Sequence, residues 1–551
     1  MALGKSLTPT FTFDHVDLGP MTGIITPDNV VQFRAIPYAT LPGRFKQSIL
    51  LETLSATNRD FTQPGFATPH TAGQDIFSGG PFPGQIIPTP MDEFKSLILQ
   101  INVPLVCLQD GTSKLSKLPV MVYVHGGGFV LGKVDAQHNT AYMVEQSILD
   151  SQPVIGVSLQ YRLGALGFMH TPDGGRNFGF YDQRNALLWI QKFIGGFGGN
   201  SAQVTAFGES AGGMSICYHM LAPPPPSGPL FKRVILMSGV IASTLTPAPI
   251  PEANSLYEKL VQAIGIEERG EAALEKLRGL EVQKIVDASS KISNEGDMWS
   301  FVEDETWFGK EKVTWDRISE LIGRCEWIDE IMLGNTGFEG LMFTANVNAL
   351  TPKNFSKSVS DQLGPKNASL IMDAYNITPD MDQNLFSNTA FRWIGDTVFD
   401  GPAHALSRHL TTKTTKKVYR YIFDIRNPFP NHPLYQQAHH WVDVYFVFKV
   451  HQFRYPTQFL KNISTKHAQL WIDFANGKTP WSEYKYDDGK EAVIMVADER
   501  DGWVERSVAE DERMNERSWK RCEVLWEAWK GVEGKQFSPL KIEPLAKAKM
   551  V

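Results

Sequence analysis

The chain has 551 residues, 42% of them hydrophobic and 21% charged, which places it among ordinary globular proteins and excludes disordered or collagen-like chains. Its 53 Lys and Arg against 60 Asp and Glu give a formal charge of −7, the wrong sign for a nucleic-acid surface or an anionic-membrane patch. No run of 18 or more apolar residues is present, so no membrane span is expected.

Residues 20–40 alternate in a strand-like way, and residues 62–92, rich in Pro, Gly and polar side chains, read as a long surface loop of the kind that rims enzyme sites. Short apolar runs follow at Leu97–Val106, Leu118–Val124, Val154–Leu159 and Val204–Phe207, apolar on both faces as buried strands of a parallel sheet are. Between the last two, Tyr181–Phe193 carries Leu187, Leu188, Ile190 and, just beyond, Ile194 at helical spacing, which makes a βαβ unit. Residues 252–345 read as helices, beginning with the amphipathic Glu252–Ile264, Gly270–Leu277 and Val282–Ser290. Val418–Phe423 returns to the sheet, and Lys466–Asn476 and Asn515–Trp529 are late helices. The tail after Phe537 reads as an exposed end. The expected class is α/β: a large, mostly parallel central sheet flanked by helices, one unit over 1–551, with a helical cap at about 250–345.

The strongest chemical signal is Gly208-Glu209-Ser210-Ala211-Gly212, a G-x-S-x-G pattern after an apolar strand and before a small-residue helix. A strained strand-to-helix turn of this kind lifts a serine Oγ clear of the backbone. Upstream, His125-Gly126-Gly127-Gly128-Phe129 follows the strand ending at Val124. Consecutive glycines allow several N–H groups to converge, and with the N–H of Ala211 they form a candidate oxyanion site, where one lost donor costs about 3–4 kcal/mol. A glycine turn can also cradle phosphate, but neither a P-loop Lys-Ser/Thr nor GxGxxG follows. Glu209 is a candidate carboxylate beside the site, and His125 and Gly126 are candidate pocket residues. Cys217 reads as a small buried hydrophobe. Trp299, Phe301, Trp307, Phe308 and Trp315 suit either a pocket lining or packing of the cap.

Together these stretches resemble the type-B carboxylesterase/cholinesterase family of α/β-hydrolases. Phe33-Arg-Ala-Ile-Pro-Tyr-Ala39, Gln160–Phe168, Asn177–Trp189, Phe197–Thr205, Leu236–Gly239 and Gly395–Pro402 match its signature stretches, so the resemblance spans nearly the whole chain. It implies an α/β-hydrolase fold and a serine esterase. It also implies an acid at Glu339, within Gly334–Gly340, where Phe338 replaces the family's usual aspartate, and a histidine at His440, within His440–Phe448. Ser210, Glu339 and His440 then form a triad in the order of this fold. On the residues alone, Asp329, Glu330 and Asp396 remain candidate acids and His439 a candidate base. The family's cysteine position is Ile98 here, and the tryptophan offered by cholinesterases to a quaternary ammonium has no match in Gly80–Thr89.

Four separated cysteines (Cys107, Cys217, Cys325, Cys522) form no CxxC, and residues 1–10 carry no apolar signal core, so a cytoplasmic location is expected. The four N-x-S/T sequons at Asn354, Asn367, Asn376 and Asn462 are about the number expected by chance. No cofactor and no metal are expected. The partner is a small ester or lactone, with homodimerisation left open. The first functional reading is ester hydrolysis through an acyl-serine. The alternatives are acyl transfer or lactone chemistry on the same site, and a non-catalytic binding member of the fold.

Overall fold

The computed structural model describes residues 8–55, 59–71, 89–109, 117–241, 245–486, 491–515 and 517–533. The expected exposed tail after Phe537, residues 72–88 of the expected surface loop and most of the Gly80–Thr89 stretch lie outside the described residues.

Among the described residues, twelve strands make one sheet. They are β1 (Thr10–His15), β2 (Gly19–Ile25), β3 (Val30–Pro37), β4 (Ile98–Pro104), β5 (Leu118–Val124), β6 (Ile155–Leu159), β7 (Gly199–Glu209), β8 (Arg233–Met237), β9 (Glu330–Thr336), β10 (Lys417–Asp424), β11 (Val493–Asp498) and β12 (Gly502–Ser507). Their spatial order is β1-β2-β3-β4-β6-β5-β7-β8-β9-β10-β11-β12. Neighbours from β6 through β11 run parallel. The β1–β4 end, the β4–β6 join and the β11–β12 hairpin are antiparallel. The sheet is therefore mixed, with a parallel centre.

The central strands are buried on both faces, which is why they read as continuous apolar runs. All seven residues of β5 are buried. Val120, Val122 and Val124 enter one core, while Met121 and Tyr123 enter the core on the opposite face. The first core is covered by helix Phe178–Phe193, which buries Leu187 and Ile190, and by the helices around Ile250–Ile264 and Val282–Asn294. The second is covered by Gln458–Ala475 and Val442–Val447.

The helical stretch expected over 252–345 ends earlier. After helix Ile318–Gly323, β9 enters the sheet between β8 and β10. Its apolar run is only Ile331–Leu333, too short for periodicity to separate strand from helix. Helices Pro352–Leu363 and Pro365–Ala374 were not anticipated. Each begins with a proline, which fits the first helical position without loss, and the Thr351 hydroxyl caps the first by accepting from Asn354 N. The aromatic residues of 299–315 pack the cap. Trp299 donates to the Ser289 carbonyl and Trp307 to the Tyr218 carbonyl, Phe301 lies against Phe180 and Tyr218, and Trp315 meets Trp526 and Trp529.

Candidate active site

The site lies at the carboxyl ends of the parallel strands, where open α/β sheets place their ligands. Ser210 ends β7 and starts helix Ala211–Leu221 with φ +54° and ψ −125°, a strained conformation for a residue with a side chain. Its N–H donates to the Met237 carbonyl at 2.8 Å, tying the turn to β8. The flanking glycines are sterically required. A Cβ on Gly212 would stand 2.0 Å from the Val124 carbonyl oxygen, and one on Gly208 would stand 2.6 Å from the Gly212 carbonyl carbon.

Gly126–Gly128 leave β5 beside this turn. Gly127 (φ +104°) and Gly128 (φ +59°) take left-handed backbone, Gly127 is part-exposed and Gly128 exposed. Ala211 is the first residue of its helix, so its N–H has no partner within that helix. His125 is scaffold. Its ring stacks on Tyr161 at 4.3 Å, the Tyr161 hydroxyl donates to the His125 carbonyl, and burial lowers its pKa to about 3, keeping it neutral.

Glu339 and His440 are brought together by a single parallel bridge. Phe338 pairs with His439, and Phe338 N donates to the Ala438 carbonyl at 2.8 Å, so the next residue on each strand is adjacent. His440 Nδ1 lies 2.6 Å from Glu339 Oε2. Glu339 Oε1 accepts from the Ser238 hydroxyl and from Thr336 N, both at 2.6 Å. Burial would raise the Glu339 pKa, but His440, Ser238 and Thr336 outweigh it and hold the carboxyl below its ordinary value. On the other side of the ring, His440 Nε2 stands 2.9 Å from Glu209 Oε1. This is a close charge contact, and Nε2 is buried with no other polar partner among the described residues. Burial alone would lower the His440 pKa. The carboxylates of Glu209 and Glu339 overcome it and push it well above 6.5. Phe399 stacks on the imidazole at 4.3 Å.

Residues 13–512 match the carboxylesterase family. The chain belongs to that family. Among its relatives, Lipase 3 of Yarrowia lipolytica is 27% identical over 476 residues, covering 83% of this chain and 86% of its own. Carboxylesterase 1C of Mus musculus is 28% identical over 428 residues, covering 71% and 74%. A solved PNB esterase superposes with a TM-score of 0.71 at 24% identity, over 91% of this chain and 98% of its own, which establishes the α/β-hydrolase fold. This carboxylesterase is a carboxylic-ester hydrolase by family.

The other candidate acids of this carboxylesterase are engaged elsewhere. Asp329 pairs with Lys232, and Glu330 with Arg233 and Lys417, at the opposite ends of the strands. Asp396 lies behind Glu339 but is bound by Arg521 and the Tyr375 hydroxyl. His439 turns away, with Nε2 3.0 Å from Asn427 Nδ2 and Nδ1 on the His440 carbonyl. Cys217 is buried and its thiol is pushed up to about 12 by burial, so it is not a nucleophile. Sequence reading passed over four neighbours: Ser238, Phe399, Trp441 and Asp443. Each sat inside a matched stretch, but nothing in a stretch says which member faces the imidazole. Burial, reinforced by Glu209 and Glu339, raises the Asp443 carboxyl well above its usual range, and Tyr421 donates to it at 3.3 Å. Among the described residues no group of three or more His, Cys, Asp or Glu is arranged to hold a metal.

Proposed function

We propose that this carboxylesterase hydrolyses uncharged esters through an acyl-enzyme on Ser210. His440 takes the Ser210 proton at Nε2 as Oγ attacks the ester carbonyl, and returns it to the departing alcohol. Glu339 fixes the tautomer at Nδ1 and stabilises the imidazolium. The N–H groups of Gly127, Gly128 and Ala211 receive the oxyanion. Water, deprotonated by the same imidazole, then releases the acid. The observation that carries this reading is the His440 ring itself, anchored at Nδ1 by a 2.6 Å carboxylate contact and faced at Nε2 by Glu209 at 2.9 Å.

A cavity of about 150 Å³ at Val130 and Leu131, just past the glycine loop, supports a reading of the substrate class. Leu131, Leu163 and Ile285 supply apolar wall, Ser289 and Ser293 supply hydroxyls, His70 adds an imidazole, and among the described residues no Asp, Glu, Lys or Arg lines it. Such a cavity suits a compact, uncharged acyl or alcohol group. The burial of Cys217, Cys325 and Cys522, with Ile98 at the family's cysteine position, supports the reading of an enzyme that works in a reducing compartment.

The test is intact-mass analysis after treatment with a fluorophosphonate, with Ser210→Ala as control. One adduct, mapped to Ser210 and absent from the variant, is expected. A folded wild-type protein that takes no adduct would overturn the acyl-serine mechanism.

A further inference from the structure

Trp441, the residue after the proposed general base, has φ +81° and ψ −12°. A bulky side chain in this left-handed region is an outlier, whereas glycine would adopt the turn without strain. The turn is held by its surroundings. Val442 N donates to the His439 carbonyl and Val444 N to the Trp441 carbonyl, both at 3.1 Å, leading into helix Val442–Val447. The chain keeps an indole where backbone geometry favours no side chain, so the ring's position is the point to explain.

That position is specific. The point a Cβ on Gly126 would occupy lies 3.1 Å from Trp441 Cζ3, 2.5 Å from the Glu209 carbonyl oxygen and 2.8 Å from Glu209 Oε2. The indole also meets the His138 ring edge-on at 5.5 Å, and Asp135 holds that histidine at 3.0 Å. Glu209 is fully buried, Gly126 and His138 are buried, and Trp441 is part-exposed, the outermost of the four.

We infer that Trp441 is a positioning residue of the esterase site: its indole closes the solvent side of the Glu209–His440 contact and clamps the first glycine of the oxyanion loop to the histidine loop. This rests on the Ser210–His440–Glu339 reading above. The charged and titratable groups around the imidazole are Glu209 from the end of β7, Glu339 from the turn after β9, and His439 and Asp443 from its own loop and helix, with His138, Tyr123 and Tyr445 near Glu209, Tyr421 on Asp443, and Asp400 near Glu339 on the segment whose Phe399 stacks on the ring. A charge pair kept from water interacts more strongly than a wetted one, so removing the indole weakens the hold of Glu209 on His440. It also frees Gly126 to shift, and small displacements of transition-state donors are costly.

The experiment compares wild type, Trp441→Gly and Trp441→Phe in the full chain, using a short-chain aryl ester and fluorophosphonate labelling. For Trp441→Gly the expected result is a kcat lower by about 10-fold or more with KM held within about twofold. The acidic limb of kcat/KM should move to lower pH, and the melting temperature should be equal or higher because the turn is relieved. Trp441→Phe, which keeps a ring over Gly126, should recover most of kcat. A Trp441→Gly enzyme with wild-type kcat and acidic limb would overturn the inference. So would a kcat loss that follows a lowered melting temperature and is not recovered by Phe. A wild type that takes no label at Ser210 fails the mechanism and this inference with it. A labelled wild type with an unaltered glycine variant fails this inference alone.

Discussion

The nucleophile side of the site and its acid–base side are built by different means. Ser210 and Gly126–Gly128 are placed by turns that directly follow β7 and β5, and the turns are enforced by backbone atoms too close to admit a Cβ. Glu339 and His440 are 101 residues apart in the chain and meet through one bridge and a cluster of buried carboxylates. The first side is sterically exacting, and the carboxylate it carries, Glu209 at the end of β7, faces the imidazole of the second. The second accepts even a tryptophan at φ +81°, yet depends on the charges of Glu209 and Glu339 and on a raised Asp443 around one imidazole. Steric substitutions should therefore break the first side, and charge or hydrogen-bond substitutions the second.

The largest effect should come where both sides meet. Ser210→Ala and His440→Ala should each lower kcat by roughly 10⁴-fold or more, and the double variant should be little worse than either, because the groups act as a unit. Glu339→Gln should cost about 10³–10⁴-fold, since it keeps the volume but not the charge that orients Nδ1. Steady-state kinetics on one aryl ester checks all four, and additive losses in the double variant would break the coupling.

This contrast also explains what was legible in the sequence. The G-x-S-x-G turn and glycine loop are local, so the residue types that permit the backbone are written next to the residue they place. The helix Phe178–Phe193 and strands β5, β6 and β7 were legible for the same reason, since their apolar spacing is a short-range signal. Glu339 and His440 were reached only through resemblance, and Asp396 could not be dismissed until its pairing with Arg521 was visible. Ser238 was unreadable as a partner of Glu339, because its role is a 2.6 Å contact across 101 residues. Strand β9 was hidden in an apparent helical stretch because its partners β8 and β10, not its own three apolar residues, make it a strand.

On the steric side, Gly212→Ala should be next in size. The new Cβ would press on the carbonyl of Val124, and backbone there cannot yield without moving both the Ser210 turn and the glycine loop. The expected cost is about 2–3 kcal/mol or more of stability, read by chemical denaturation, with loss of activity in whatever remains folded. An alanine enzyme of wild-type stability would show that the two turns are not locked together.

On the acid–base side, Ser238→Ala removes a 2.6 Å donor from a buried carboxylate, which should cost about 1–3 kcal/mol. The sign with pH follows from Glu339, whose folded pKa lies below its ordinary value and whose contribution is therefore present above the unfolded pKa and lost as pH falls. Without Ser238 the folded pKa rises, the contribution shrinks, and acid unfolding should begin at higher pH than in wild type. An unchanged acid midpoint would mean that Thr336 N and His440 hold Glu339 on their own.

Glu209→Gln should have the smallest effect on rate and the clearest effect on pH dependence. In the proposed mechanism His440 must be neutral at Nε2 to accept the Ser210 proton, so kcat/KM should rise with pH through the histidine's pKa. That pKa lies well above 6.5 because Glu209 and Glu339 together overcome burial. Removing the Glu209 charge leaves burial opposed by Glu339 alone, so the acidic limb should move to lower pH, with the plateau rate changed far less than by Glu339→Gln. The two substitutions separate the roles of the carboxylates that flank the ring. The one at 2.6 Å from Nδ1 sets its orientation, and the one at 2.9 Å from Nε2 sets the pH at which it becomes a base. If Glu209→Gln left the limb in place, the charge contact at Nε2 would carry no influence on the imidazole, and its raised pKa would have to come from Glu339 alone.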